Sequence, residues 1–333
     1  MSGVTAESDD RAGRPASWRT RVLQTVRWVV IAAVVVVAVW YFATMWDTVA
    51  PELAKMHPAA LAGSFVVLLA GLMLTVLSWT TLLNGLGHPV PFIRGAQIML
   101  VGQLGKYVPG SAWAYLLQME IGRQYGIARA RVLVASLYAA GVGVVASLVL
   151  AVAALPQLNE GLPQVVWIIA LLPVGLACLL PQVMTFLANL VLKLFRRTPL
   201  GQRVKLRTTL GALGWSIGSY VLYGVHLWLL TGGEAAVTDI LLCAAAIGMG
   251  FTVSLFAFLL PSGVGVREAV LIGCLGLVLS AGQASAIALV SRGMFTAGDL
   301  ITAGAAALTA LVLRRRLHRA DVVRAEYSDV ANS

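Results

Sequence analysis

Eight long apolar windows constrain this chain more than any other feature: residues 28–46, 59–83, 132–155, 164–185, 210–231, 238–260, 267–281 and 284–313. A helix that crosses a hydrocarbon core of about 30 Å needs roughly 20 mostly apolar residues, so the windows predict eight crossings. Composition excludes a soluble alternative, since 59% of the residues are hydrophobic and only 11% charged, with a mean hydropathy of +0.87. Soluble domains carry about 25% charged residues. The expected fold is therefore an all-α integral membrane protein with about eight transmembrane helices. Residues 1–27 form a polar N-terminal tail, 28–313 the transmembrane domain, and 314–333 a polar C-terminal tail that is expected to be mobile. The first window is not a cleaved signal peptide, because its run is long, Trp40, Tyr41, Phe42 and Trp46 follow it, and no small-residue cleavage site is present.

The cations then orient the chain. Arg11, Arg14, Arg19, Arg21 and Arg27 precede the first window, Arg123, Arg129 and Arg131 the third, and Lys193, Arg196, Arg197, Arg203, Lys205 and Arg207 the fifth. Arg314, Arg315, Arg316 and Arg319 follow the last, whereas the opposite connections hold only Lys55. Cytoplasmic loops retain Lys and Arg, so an even number of crossings with both termini in the cytoplasm of a plasma-membrane protein is expected. The net charge of +10 is thus a topology signal, with some attraction to anionic lipid heads, and not a nucleic-acid footprint.

A ninth apolar segment, near 92–118, is broken by the stretch VGQLGKYVPGSAW at 101–113. Irregular backbone is tolerated in lipid only where it is buried in protein or lines a polar cavity. Arg94 and Arg123 flank this segment, so it is expected to enter and return on one side. Lys106 within it needs a polar partner, since a charge at depth costs about 2.5–3.5 kcal/mol on insertion scales. A second break, LLPSGVGVREA at 259–269, has the same character. Paired Gly/Pro interruptions in two halves point to a substrate site in transporter folds, and an internal repeat is possible. A helix starting near Val264 would present the amides around Ser262, Gly263 and Gly265, with Arg267 in its first turn, a setting that suits anions. Pairing of Arg267 with Glu268, or snorkelling to the interface, is the plainer alternative.

The pair GKYVPGSAW and PSGVGVREA resembles the membrane region of the lysylphosphatidylglycerol synthase family, over nearly all of residues 28–313. The resemblance implies a lipid-flippase-like module; in that family it is often fused to a cytosolic aminoacyltransferase domain, and related stand-alone or glycosyltransferase-linked versions are suspected of handling polyprenyl-phosphate lipids. By that likeness Gly105, Lys106, Tyr107, Pro109 and Gly110 lie in the first motif, and Pro261, Gly263, Gly265, Arg267 and Glu268 in the second. Arg292, in LVSRGMFTAGD, resembles the arginine that the family places in its last span. No aminoacyltransferase domain is expected in the twenty residues after Leu313, so synthesis of lysyl-lipid is not expected.

An acid census adds Glu120, Glu268 and Asp299, which lie in or beside apolar windows and are functional-site candidates for that reason. Glu120 has a simpler reading as the partner of Arg123 three residues on. Asp299 and Arg292, seven apart, share a helix face two turns from one another. A cavity holding Lys106, Arg267 and Arg292 would bind a phosphate while its lipid tail stayed in the bilayer, arginine as a bidentate fork and lysine as a point charge. Carboxylates there would serve as counter-ions or couple movement to protons.

Other chemistry is excluded or weak. GQLGK lacks the first glycine and the Ser or Thr of a phosphate-binding loop, with Leu100 and Tyr107 in their places. Cys178, Cys243 and Cys274 and the four histidines lack metal spacing, so neither a cofactor nor a metal site is expected. The expected function is transbilayer movement of an anionic phospholipid or a polyprenyl-phosphate-linked sugar, by a transporter and not an enzyme. Two alternatives stay open: an intramembrane glycosyltransferase using Asp47 or Glu52, and a non-transporting accessory subunit bound to an envelope-synthesis enzyme.

Overall fold

A computed structural model describes residues 43, 46–87, 89–107, 112–157, 167–194, 196, 199, 204–256, 263 and 265–331. Contacts divide the chain into Met1–Thr44 and Met45–Ser333, and nearly all of the first apolar window lies outside the described residues. The described residues form helices and no strand. In order these are α1 (Trp46–Lys55), α2 (Pro58–Gly85), α3 (Phe92–Gly102) with a 3-10 helix (Gln103–Tyr107), α4 (Ala112–Gln124), α5 (Arg129–Ala153) and α6 (Trp167–Cys178). Then come α7 (Pro181–Leu194), α8 (Leu206–Leu230), α9 (Ile240–Phe256), α10 (Val266–Leu275) and α11 (Ala281–Ala331).

Four of these helices are long and apolar enough to cross a membrane: α2, α5, Val237–Phe256 including α9, and Ala281–Val312 of α11. Ala170–Cys178 and Pro181–Leu194, bent by 64°, make a fifth if they are one span. The fourth window is thus broken where Pro181 restarts the helix, a first-turn position that proline suits because the amide it lacks would have no partner there. α8, with 25 residues, reaches about 37 Å at 1.5 Å per residue and is also long enough. The seventh window departs from expectation, since α10 has only 10 residues and rises about 15 Å, half of the hydrocarbon core. At the C-terminal end α11 runs to Ala331, so residues 314–331 continue the helix of the last window.

α2 and α8 are the antiparallel centre. Ser64 Oγ lies 2.6 Å from His226 Nδ1, Thr75 Oγ1 3.0 Å from Tyr223, and Ser78 Oγ 2.9 Å from both the Ala212 carbonyl and Ser216 Oγ. Gly85, at the end of α2, faces Thr208 in the first turn of α8. Hydroxyls removed from water must pair across helices, and here they zip the two along their length. His226 Nε2 also meets Ser291 Oγ at 3.0 Å, which adds α11 to the seam.

On this centre sit two helical hairpins. In the first, α3 with its 3-10 extension runs antiparallel to α4, so that Gly102 faces Gln118 and Gly105 faces Ala114. Its base carries Arg94, stacked 5.9 Å over Tyr125, and Arg123, so the two limbs of the broken segment start and finish at the same end of the hairpin. In the second, α9 runs antiparallel to the segment of α10, with Gly250 facing Arg267 and Gly263 facing Ser254. Its base lies at the other end of α8, where Trp228 Nε1 donates to the Ala235 carbonyl and Gln283 Nε2 to Glu234 at 2.5 Å.

The two hairpins therefore open in opposite directions. Exchanging α2 with α8, α3 with α9, α4 with α10 and α5 with α11 maps each packed pair onto another packed pair: α2–α3 onto α8–α9, α4–α5 onto α10–α11, α3–α11 onto α9–α5, and α2–α11 onto α8–α5. The α2–α8 pair maps onto itself. That is an inverted repeat, the arrangement in which transporter sites form at the junction of the halves.

Candidate functional site

The inner ends of both hairpins meet α11 around a cavity of about 210 Å³. The first hairpin contributes Lys106, Tyr107, Ala114 and Tyr115; the second contributes Phe251, Ser254, Leu255, Gly263 and Arg267; α11 contributes Arg292, Phe295, Thr296 and Asp299. Two glycines allow this approach. A Cβ at Gly105 would stand 2.6 Å from the Ala114 amide nitrogen, inside van der Waals contact with backbone. Gly263 has φ +64°, a left-handed conformation costly for residues with a Cβ, and its missing side chain leaves room for Ser254.

Asp299 is a hub. Its side chain is fully buried: Oδ2 pairs with Lys106 Nζ at 2.6 Å and accepts a hydrogen bond from Tyr107 Oη at 2.5 Å, and Oδ1 accepts one from Gln103 Nε2 at 3.0 Å. All three donors come from the 3-10 helix, whose three-residue turn places Gln103, Lys106 and Tyr107 on one side. The polar partner that Lys106 requires is thus Asp299. Charge-assisted bonds of this length are roughly twice as strong as neutral ones.

Glu268 is the second hub, 5% exposed. One carboxylate oxygen accepts from Arg292 Nη1 at 2.7 Å, and the other from the Gly265 amide at 2.7 Å. This sets aside the plainer alternative for Arg267 and corrects one expectation. The partner of Glu268 is Arg292 and not Arg267, because α10 turns consecutive side chains about 100° apart. The Gly265 amide, expected to face a ligand, is occupied by Glu268 in the manner of a helix cap. Ser262, Pro261, Pro109 and Gly110 lie outside the described residues.

Arg267 is the anomaly. It is 5% exposed, and its Nε and Nη2 have no hydrogen-bond partner among the described residues. Its guanidinium carbon lies 4.3 Å from the ring centre of Phe251 and 4.2 Å from that of Phe295. Two aromatic faces hold the cation in place through cation–π attraction, yet they satisfy none of its N–H donors. A buried ion of this kind carries a penalty of several kcal/mol, and a donor left unmade in a native structure calls for a functional account.

Glu120 does not line the cavity. It sits at the base of the first hairpin, 40% exposed, with Arg123 at 2.6 Å and Arg129 at 2.5 Å. Hydrogen bonds from those two arginines lower its pKa to about 2. A local ion-pair cluster accounts for it fully. Sequence reasoning missed Gln103, Phe251, Phe295, Ser254 and Thr296. Only Gln103 carried a signal, as a polar side chain three residues before Lys106 in an apolar run.

The match that decides the family covers this whole arrangement: the model of the lysylphosphatidylglycerol synthase TM region aligns with residues 28–302. The chain belongs to that family. A search of curated proteins returned no match. Membership of the lysylphosphatidylglycerol synthase TM-region family makes this an integral membrane protein with a lipid-related role. It also covers both hairpins and the segment of α11 with Arg292 and Asp299.

Proposed function

We propose that this protein moves an anionic lipid, either a phospholipid or a polyprenyl-phosphate-linked sugar, between leaflets by holding its phosphate in the cavity at Arg267. The observation that carries the reading is the unpaired, buried guanidinium of Arg267 between the ends of two opposed hairpins. Its free N–H donors match phosphate oxygens. The cavity, at about 210 Å³, is smaller than the roughly 300–1,000 Å³ of sites that enclose a whole ligand, which suits a headgroup whose tail remains in the bilayer. The inverted repeat supports alternating access around this fixed point.

In this reading the protein is a transporter and carries out no chemical transformation. It sits in the plasma membrane, with the arginine-rich end that holds Arg94, Arg123, Arg129 and Arg207 in the cytoplasm and both termini on that side. An envelope-synthesis enzyme supplies or consumes its lipid. Mass spectrometry of lipids that co-purify in mild detergent tests this, comparing the wild type with Lys106→Ala and Arg267→Ala. Enrichment of one phosphate-bearing lipid, lost in both variants, is the expected result. A lipid profile equal to the bulk membrane and unchanged by either substitution would defeat the headgroup site and favour an accessory subunit.

A further inference from the structure

Two of the three cations at the cavity are matched and one is not. Lys106 closes on Asp299 and Arg292 on Glu268, each one to one, which leaves the single positive charge of Arg267. The chain between the described parts of the hairpins, 108–111, 257–262 and 264, adds no ionisable side chain. A singly charged anion on Arg267 therefore makes the loaded cavity neutral, whereas the empty cavity holds an unpaired guanidinium wherever it closes to water.

From this we infer that the protein is an obligatory exchanger: each inward or outward passage of a singly charged phosphate group on Arg267 is matched by the return of a second phosphate-class anion. The inference rests on the transport reading above. Its physical basis is the cost of closing the empty site. Open to water, Arg267 can be hydrated; occluded, its Nε and Nη2 have no hydrogen-bond partner among the described residues, and the guanidinium lies between Phe251 and Phe295. That burial slows return of the empty form by on the order of 100-fold. An anion on Arg267 removes the penalty in both directions. Because the loaded site is already neutral, Asp299 and Glu268 keep their partners and no proton need travel. The return anion can be another lipid phosphodiester or free monobasic phosphate, which present the same oxygens.

The test uses purified wild-type protein in vesicles of digalactosyldiacylglycerol, a lipid without phosphate. Short-chain fluorescent phosphatidylglycerol is added outside, and its inward movement is read as the fraction that albumin no longer extracts. In vesicles with no other phosphate-class anion, movement is expected to stay within about two-fold of protein-free vesicles after the first turnover. Unlabelled phosphatidylglycerol in the inner leaflet is expected to raise it at least 10-fold. Inorganic phosphate in the lumen separates the sources: a similar rise admits free phosphate as the return anion, and no rise assigns the return leg to lipid. In Arg267→Gln movement is expected to fall to the protein-free rate in every arm, and stimulation by an inner-leaflet anion that persists in this variant overturns the role given to Arg267. Wild-type movement that is equally fast with and without an anion opposite overturns exchange while leaving transport intact. No movement in any arm overturns the transport reading itself, and exchange with it.

Discussion

The Lys106–Asp299 pair offers the sharpest check on the site as described. Asp299 is fully buried on three donors, whereas the Lys106 side chain is 31% exposed. The two ends of one ion pair thus differ in what they lose. Lys106→Met leaves a buried carboxylate on Tyr107 and Gln103 alone, a loss of about 3 kcal/mol, the low end for breaking a buried pair because two donors remain. Asp299→Asn leaves a lysine that can turn to water, a loss of about 2 kcal/mol after discounting for its exposure. The double variant buries no charge at all and is expected to cost about 1–2 kcal/mol, so the cycle returns a coupling of about 3–4 kcal/mol. Unfolding in mixed micelles titrated with sodium dodecyl sulfate and followed by tryptophan fluorescence gives each corner. A coupling below about 0.5 kcal/mol, the level of independent sites, would refute the hub.

Other perturbations test the neighbouring contacts. Gly105→Ala forces the 3-10 helix away from the Ala114 backbone and is expected to cost about 1–3 kcal/mol as overpacking, in the same unfolding titration. Glu268→Gln removes the charge facing Arg292 and weakens the cap on Gly265; it is expected to cost about 3 kcal/mol, and Arg292→Gln combined with it to recover most of that. Glu120→Gln is expected to change stability by under about 1 kcal/mol, since the pair is exposed. Because the pKa of Glu120 is lowered to about 2 by Arg123 and Arg129, its small contribution is present above the ordinary carboxyl pKa of about 4.3. It is lost only as pH falls from there through about 2; a titration that shows its loss near pH 6 would contradict the cluster.

Much of this protein is legible in its sequence because lipid leaves few options. An ionisable side chain in an apolar run must be partnered, so Lys106, Arg267, Glu268, Arg292 and Asp299 stand out one by one, and the structure brings all five to one place. Their pairing is not legible. Glu268 adjoins Arg267 in sequence but points elsewhere on the helix, and Asp299 meets Lys106 from 193 residues away. The aromatic clamp is invisible for a different reason: Phe251 and Phe295 look like any lipid-facing aromatics until packing turns them inward. The repeat is legible only in its paired Gly/Pro breaks at 101–113 and 259–269, since any apolar side chain suits a helix in lipid and the apolar spans themselves carry little pattern. Window lengths mislead at α10, where apolar sequence continues into a turn.

Both hairpins are gripped by a single helix. α11 holds the first through Asp299 and the second through Arg292, seven residues and about 10 Å apart along one face. It then continues as helix to Ala331, well past its apolar part. Such a rod has no joint between its two handholds, so it cannot slide or roll to let go of one hairpin without tugging on the other. The inner parts of the two hairpins are tied to a common shaft, and a pull along that shaft reaches both at once.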